Sequence, residues 1–453
     1  MDTPDKPDTP DTPDTSASAP PPLFARFLGV AALALAMCVP LFLVQLRVDE
    51  RGDRYTSVLH DIASVWGRHQ TIQGPILIVP YLDEHISEET VRDRDGVDRV
   101  VSKTTYTRQR AALLPDALEI DAHLQDERRH RGIYESLVYS ADVTLSGRFP
   151  ALDEDALSDH LHRVEWDKAF LVVGLSDTRA IGQVSTLKWG DAEAELAPGT
   201  RLQGLLDSGF HAPLLTSGSA VDFSLDLEVK GSGGFRFAPF GKTTEVAIRS
   251  PWPHPSFQGS PTARTVDADG FDATWQIPHL TRNYPQQFRL GSSGVDLREY
   301  LAGVDLFEPV ALYDKVGRAV KYGLLFVGLT FLIFLVFELT VQAPLHVLQY
   351  AMVGVALSLF YLTLLALAEH VAFGLAYVAA SATTVTMIAL YTWGALGSAA
   401  RGGLIGTLLT GLYGVLFVIL RMEDYALLAG TGLLLVATAA VMYVTRDLET
   451  ARP

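Results

Sequence analysis

Apolar and polar residues alternate with a period of two along several segments in the first two thirds of the chain. In residues 221–230 the sequence VDFSLDLEVK places an apolar side chain at every odd position. The segments 118–124, 141–149 and 271–277 follow the same pattern. Successive side chains of a strand point to opposite faces, so each segment predicts a strand with one buried face.

Clusters of glycine and proline separate these segments, as in KGSGG at 230–234. Short strands divided by such clusters favour an antiparallel β-sandwich of one or two units. Residues 151–162 interrupt the alternation and predict a helix.

Six stretches of the chain are apolar over the length that a helix needs to cross a membrane, about 20 residues. They are residues 24–46 and about 321–340, 347–368, 372–394, 403–420 and 425–444. Six spans place both termini on one side of the bilayer and the segment between spans 1 and 2 on the other. The predicted fold is a membrane α-helical bundle of six spans, with a large mainly-β, sandwich-like domain inserted between spans 1 and 2, on the side of the membrane opposite to the termini.

The same patterns divide the chain into five consecutive parts. They are a disordered acidic tail at 1–22, an anchor helix at 23–46, a β-rich domain at 47–318, a five-helix bundle at 319–445 and a short tail at 446–453. The first tail repeats the motif DTP and has almost no apolar surface to bury. The anchor is predicted to be uncleaved, because a mostly apolar run continues beyond the small residues of ALALA that resemble a cleavage site.

Charge follows the same division. Residues 47–318 contain 41 acidic and 29 Lys or Arg side chains, whereas residues 319–453 contain six and five. We expect the lipid bilayer, and no nucleic acid, as a partner of such a chain. The Lys and Arg residues near the spans are split between the two sides, so the positive-inside rule does not decide the orientation.

Signatures of catalysis are largely missing from the sequence. It contains no G-x-S-x-G, no H-E-x-x-H, no Walker loop and no glycine-rich dinucleotide motif. His160 and His162 would share a face of an extended chain and could hold a metal, but no third ligand is evident, and a helix end or strand edge is the favoured interpretation. We therefore predict no catalytic residue, no metal site and no cofactor.

The segment SPWPHPSFQG, residues 250–259, carries the candidate binding surface Ser250, Trp252 and His254. These residues continue the parity of the apolar strand before them, which predicts a buried Trp252 with His254 at the rim. Three alternate prolines remove every N–H donor from one edge, so the segment is predicted to be an edge strand. A structural role is favoured, and ligand binding by the exposed face is the alternative.

A few charged residues are predicted at the membrane interface, close to the span ends. The candidates are Arg318, Lys321, Glu338, Glu369 and His370. Charges at mid-bilayer usually mark transport or proton transfer, and none is evident here. A pH-sensing pair of Glu369 and His370 is the alternative to a solvated interfacial pair.

Four strings resemble the CreD family of bacterial inner-membrane proteins. They are GPILIVPY (74–81), GIYESLVYSADVTLSGRF (132–149), SPWPHPSFQG (250–259) and FEPVALYDKVGRAVKYGLLFVGLTFLIFLVFEL (307–339). The resemblance extends from about residue 24 to the last span. Ala180 and Ala311 depart from the family pattern, which has a glycine and an acidic residue there.

This resemblance implies a multi-pass protein of the bacterial inner membrane, with both termini cytoplasmic and the β-rich domain periplasmic. It also implies a role in envelope integrity and stress response, with colicin tolerance and two-component control, but no established catalytic activity. We expect a non-enzymatic protein whose periplasmic domain binds an envelope protein or glycan. The alternatives are a transporter or channel formed by the bundle and, less favoured, an envelope hydrolase.

Overall fold

The strands and the apolar helices occupy separate parts of the chain. The computed structural model describes residues 23–92, 98–291, 300–306, 312–341, 345–422 and 426–445. The chain forms two compact units. The β unit is Arg54–Pro309, and the helical unit comprises the segments before Arg54 and after Pro309.

The strands of the β unit are mostly short, apart from the first four and β12. They are β1 Gln70–Arg92, β2 Asp98–Leu113, β3 Ala117–Arg131, β4 Tyr134–Phe149, β5 Leu161–Val164, β6 Phe170–Leu175, β7 Ile181–Val184, β8 Leu187–Trp189, β9 Ala192–Ala194, β10 Ala197–Pro198, β11 Gly209–Pro213, β12 Val221–Gly231, β13 Gly234–Phe237, β14 Thr243–Ser250, β15 Pro255–Gln258, β16 Ala263–Asp267, β17 Gly270–Pro278, β18 Gln287–Arg289 and β19 Ala302–Leu306.

These strands form two sheets around one hydrophobic core. The first sheet has the order β10-β11-β6-β1-β13-β19-β15, and β2, β5 and β18 pair outside this path. The second has the order β16-β17-β14-β3-β4-β12-β8-β9, with β7 beside β12. Phe237 of the first sheet meets Trp275 of the second, with ring centroids 5.7 Å apart. The predicted mainly-β architecture is confirmed, although two pairings, β1 with β13 and β14 with β3, are parallel.

The period-two alternation correctly located the strand faces. In β3 up to residue 125, and in β12 from Phe223 onward, every second residue is buried, and the residues between them are exposed or partly exposed. The buried set includes Ile120 and Leu124 in β3 and Leu225 and Val229 in β12. Burying one face of each sheet against the other is therefore what holds this unit together.

The helix predicted over residues 151–162 is wrong. These residues form turns, and β5 begins at Leu161. The carboxylate of Asp153 accepts a hydrogen bond from the backbone N–H of Ala156 at 3.2 Å. A side chain that satisfies the backbone locally competes with helix formation, and the segment offers too few apolar residues for packing to favour a helix instead.

The helices are α1 Leu23–Ala36, α2 Cys38–Trp66, α3 Leu312–Lys321, α4 Gly323–Val341, α5 Val347–Ala368, α6 Phe373–Leu396, α7 Ala399–Arg421 and α8 Ala426–Thr445. The break between α1 and α2 follows from Pro40, because a proline ring clashes with the carbonyl four residues earlier, here that of Ala36. Helix α2 continues well past the predicted end of the anchor at residue 46.

The prediction of six spans is wrong for the part of the chain that the structure describes. Four helices are long and apolar enough to cross a membrane, and a fifth candidate is the pair α3 and α4, bent by 42°. The span predicted at 321–340 coincides with α4, and the bend lies at its start, where α3 ends at Lys321. Charged residues make α3 amphipathic, whereas α4 is apolar along its length except at Glu338 near its end. The span predicted at 425–444 begins outside the described residues, and α8 is not among the candidates.

Helices α6 and α7 pack closely because α7 carries glycines on the contacting face. A side chain at Gly402 would lie 2.8 Å from the carbonyl oxygen of Ala389 and 2.9 Å from the Cβ of Trp393. Gly406 faces Ala389 in the same way, at 3.2 Å. Small residues allow this close approach in lipid, where the hydrophobic effect does not drive helices together.

Candidate functional site

The proline-rich segment crosses from one sheet to the other and is not one continuous strand. Strand β14 ends at Ser250 in the second sheet, and β15 begins at Pro255 in the first. The prediction of a single edge strand over the whole segment is therefore wrong. Periodicity indicates which face a residue occupies but not where a proline-interrupted chain leaves its sheet. The edge-strand prediction is correct for Pro255–Gln258, because β15 is the last strand in the order of its sheet.

Most of the candidate binding surface on this segment is buried. Trp252 is 5% exposed, as its parity predicts, and Ser250 is also 5% exposed. The Ser250 hydroxyl accepts a hydrogen bond from the backbone N–H of Trp252 at 3.2 Å. His254 is exposed, and its ring centroid lies 6.0 Å from that of Trp252. These contacts support a structural role for the tryptophan, and a binding role for His254 stays a prediction.

The two buried carboxylates among the candidate membrane-interface residues have different partners. Glu338 in α4 is 6% exposed and accepts a hydrogen bond from the Tyr350 hydroxyl at 2.9 Å. Glu369 accepts a hydrogen bond from the Tyr313 hydroxyl at 3.2 Å and lies 3.6 Å from the guanidinium of Arg51. The ionic contact of Glu369 is thus with Arg51, a residue from the other end of the chain.

The other three candidates lie at helix ends. Arg318 and Lys321 are in α3, half-buried and exposed respectively, and His370 is exposed after α5. Burial of Glu369 against a permanent cation leaves less reason to invoke His370 as a pH sensor. Of the two departures from the family pattern, Ala180 is buried in a short 3-10 turn, and Ala311 lies outside the described residues.

The two histidines His160 and His162 do not complete a metal site. The ring of His160 lies 5.8 Å from that of His85, and Nδ1 of His162 lies 3.6 Å from a carboxylate oxygen of Glu84. Within the described ranges, no group of three or more His, Cys, Asp or Glu side chains could hold a metal ion. His162 lies in β5, which pairs with β1 alone in the described sheet, so the strand-edge interpretation fits.

Glu165 is the centre of an ionic network that sequence reasoning missed. Its side chain is 2% exposed and accepts hydrogen bonds from Lys168 at 2.6 Å and from Arg108 at 2.8 and 3.1 Å. Arg163 is 4.0 Å away. The bond from Lys168, opposed by burial and aided by Arg108, lowers the pKa of Glu165 below its usual value. No local motif indicates this cluster, since Arg108 is far from Glu165 in sequence.

Replacing Glu165 by glutamine should make the free energy of unfolding less dependent on pH. A carboxyl whose pKa is lowered by folding contributes stability above its unfolded pKa of about 4.3, and that contribution is lost as the pH falls through the lower folded value. The difference in unfolding midpoint between wild type and Glu165→Gln should therefore be largest near neutral pH and shrink below about pH 4. Thermal unfolding at a series of pH values measures it, and a difference that grows on acidification would contradict the assignment.

The hairpin of β1 and β2 extends beyond the sheet as a two-stranded arm. Up to Asp83, β1 has neighbours on both sides, whereas Glu84–Arg92 pairs only with Asp98–Tyr106 in the described ladders. The arm, defined by these two ranges, carries exposed apolar side chains. Ile86 is 67% exposed and Val100 is 63% exposed.

This arm is the part of the β unit most suited to contact another molecule. A two-stranded ribbon is marginally stable alone, and the open edges of its strands present N–H and C=O groups that can pair with an added strand. Ile86 and Val100 point to the same face, because Ile86 is opposite Thr104 and Thr90 is opposite Val100. Strand addition combined with such apolar contacts is a common mode of protein recognition.

Comparisons with known proteins agree over nearly the whole chain. A family model described as "CreD: Inner membrane protein CreD" matches residues 22–450. The Inner membrane protein CreD of Escherichia coli (strain K12) is 32% identical over 438 residues, which cover 94% of each chain.

Similarity to solved structures is much weaker. Native leukotriene A4 hydrolase from Saccharomyces cerevisiae has 14% identity and a TM-score of 0.22, covering 37% of this chain and 27% of that one. The M1 zinc metallopeptidase from Deinococcus radiodurans has 14% identity and a TM-score of 0.19, covering 36% and 40%. The chain thus spans less than half the length of either structure, and scores this low support no conclusion about fold or activity.

Proposed function

The chain belongs to the CreD family of inner membrane proteins, and from this premise we propose that it supports envelope integrity by binding an envelope component or partner protein through its β unit. In this proposal the β unit lies in the periplasm, both termini lie in the cytoplasm, and the protein catalyses no reaction. The helices anchor the binding unit in the inner membrane, where it acts under envelope stress.

The observation that carries this proposal is the exposed arm of β1 and β2. A protein in water rarely keeps large apolar side chains on both strands of a bare ribbon unless a partner covers them. Ile86 and Val100 can supply apolar contacts, while the strand edges supply backbone hydrogen bonds. We expect a protein partner that adds an extended segment to this arm.

The test is complementation of cells that lack the protein, scored by their sensitivity to detergents. The double variant Ile86→Asp and Val100→Asp should fail to restore resistance, because charges on this face oppose an apolar partner. Val266→Asp is the matched control, since Val266 is 49% exposed on a different strand of the same unit, β16. Equal complementation by both variants, at equal amounts of protein in the membrane, would argue against partner binding by the arm.

Transport by the helical unit is the alternative, and the burial of Glu338 favours it. An ionisable side chain buried between α4 and α5 is costly in a membrane protein and is often functional. Complementation that survives the arm substitutions but is lost in Glu338→Gln, with the variant still inserted in the membrane, would favour transport over the proposed binding role.

A further inference from the structure

We propose that a cleft in the β unit lined by Arg108, Arg110 and Arg289 binds a phosphate group carried by an organic molecule. The cleft has a volume of about 560 Å³. Its walls come from three segments that are distant in sequence, in β2, in the loop 202–205 and at the end of β18. It is separate from the arm, so either proposal can fail without the other.

The charge of the cleft is opposite to that of the unit around it. Residues 54–309 contain 37 acidic and 25 Lys or Arg side chains, which gives the unit a net charge of −12. The residues that line the cleft include three arginines, whereas the described lining contains no Asp or Glu. Most of the surface of an acidic protein repels an approaching anion. A cleft lined by positive charge therefore attracts the anion to one place on the protein.

The neighbouring carboxylate does not cancel this positive charge. Glu165 accepts hydrogen bonds from both Arg108 and Lys168, and Arg163 lies 4.0 Å from it. One carboxylate is thus shared by three cations, so Arg108 does not have a counter-charge of its own in this network. The same carboxylate fixes the guanidinium of Arg108 by a two-bond contact, so less side-chain freedom is lost when a ligand binds.

Arg110 is held in place by a strained loop. Its Nη1 donates a hydrogen bond to the backbone carbonyl of Arg201 at 3.1 Å. Arg201 has a φ of 58°, a left-handed conformation that is unfavourable for a residue with a side chain. Hydrogen bonds stabilise the loop, from the Thr200 hydroxyl to the carbonyl of Leu206 and from the Gly204 N–H to Asp207 at 2.9 Å. Strain that the surroundings maintain is a recurrent feature of binding sites.

The geometry favours phosphate as the ligand group. Arg108 and Arg110 are two residues apart in β2 and lie on the same face of the strand, while Arg289 reaches the cleft from β18. Planar guanidinium groups form paired hydrogen bonds with phosphate oxygens, and a doubly charged phosphate matches several arginines better than a single carboxylate does. Phe288 and Leu205 line the same cleft and can contact the organic part of the ligand.

The experiment is calorimetric titration of the full-length protein in nanodiscs of zwitterionic lipid. The probes are inorganic phosphate, glucose 1-phosphate and a short-chain phosphatidic acid below its micelle concentration, with succinate as the carboxylate comparison. We expect the organic phosphates to bind and succinate to bind at least about tenfold more weakly. Tighter binding of glucose 1-phosphate would identify a soluble or sugar-linked source, and tighter binding of the phosphatidic acid would identify a lipid source.

Substitutions then locate the site. Arg110→Gln should weaken phosphate binding about tenfold or more, and Arg110→Lys should weaken it less, because lysine keeps the charge but loses the paired hydrogen bonds. Arg148→Gln is the matched control, since Arg148 is an exposed arginine of the second sheet, 3.7 Å from Asp222. The proposal is overturned if no phosphate probe binds the wild type, or if Arg110→Gln binds as tightly as wild type with an unchanged unfolding midpoint.

Discussion

Replacing Trp252 by alanine should lower the free energy of unfolding of the β unit by about 3–5 kcal/mol. The indole is 5% exposed and belongs to the core that the two sheets share. The guanidinium of Arg128 lies over its face, 5.6 Å from the ring centroid, and the ring of His254 lies 6.0 Å away and nearly perpendicular to it. Loss of this ring would leave a cavity at the crossover between the sheets, where the prolines limit how far the backbone can move to fill it.

Proteolysis of the full-length protein in micelles over a series of urea concentrations measures this loss. Trp252→Phe keeps an aromatic ring and should be less destabilising than the alanine variant. His254→Ala removes an exposed ring and should change the stability by no more than about 0.5 kcal/mol. A loss below about 1 kcal/mol for Trp252→Ala would mean that the ring is not a core residue, and would again favour ligand binding by this segment.

Periodicity in the sequence was sufficient to locate the buried faces but not the sheets to which the strands belong. The parity of Val246 and Ile248 predicted a buried Trp252, and the ring is buried although β14 ends two residues before it. Parity contains no information about a change of sheet after Ser250. The parallel pairing of β14 with β3 was equally hidden, since it joins segments far apart in the chain.

Hydropathy likewise predicted where the apolar segments lie, but not where each helix ends or bends. It located α5, α6 and α7 well. It could not show that α2 continues to Trp66, because the charged residues after 46 are compatible with a helix in water as well as with the start of a soluble domain. It also missed the bend between α3 and α4, which depends on packing rather than on composition.

The candidate sites that depend on long-range contacts were not predictable from one sequence. The arginine cleft joins β2, a loop near residue 203 and the end of β18, and the Glu165 network joins residues 57 positions apart. Isolated arginines in an acidic domain have no pattern that distinguishes them from solvated surface residues. The arm was hidden for a different reason, because nothing in the sequence of residues 84–106 indicates that two paired strands leave their sheet.

Replacing Gly270 by alanine should destabilise the β unit by roughly 3 kcal/mol or more, because a strained backbone and a steric overlap act together. Gly270 begins β17 with a φ of 134°, which side-chain-bearing residues rarely adopt. A Cβ there would overlap the carbonyl oxygen of Ser250 and lie 2.6 Å from the Cα of Pro251. These are backbone atoms at the start of the crossover, so they cannot move aside as a flexible side chain could.

Gly132→Ala is the control that separates the two causes of this loss. Gly132 also has a positive φ, 67°, but nothing lies within 4 Å of a Cβ built there. Gly132→Ala should lower the free energy of unfolding by only about 1 kcal/mol, which is the strain of an alanine in the left-handed conformation. Equal losses of unfolding free energy for the two glycine variants would show that the backbone moves to remove the overlap at Gly270.

Such a movement would displace Pro251, and Trp252 with it. The losses of unfolding free energy for Gly270→Ala and Trp252→Ala should therefore sum to more than the loss for the double variant.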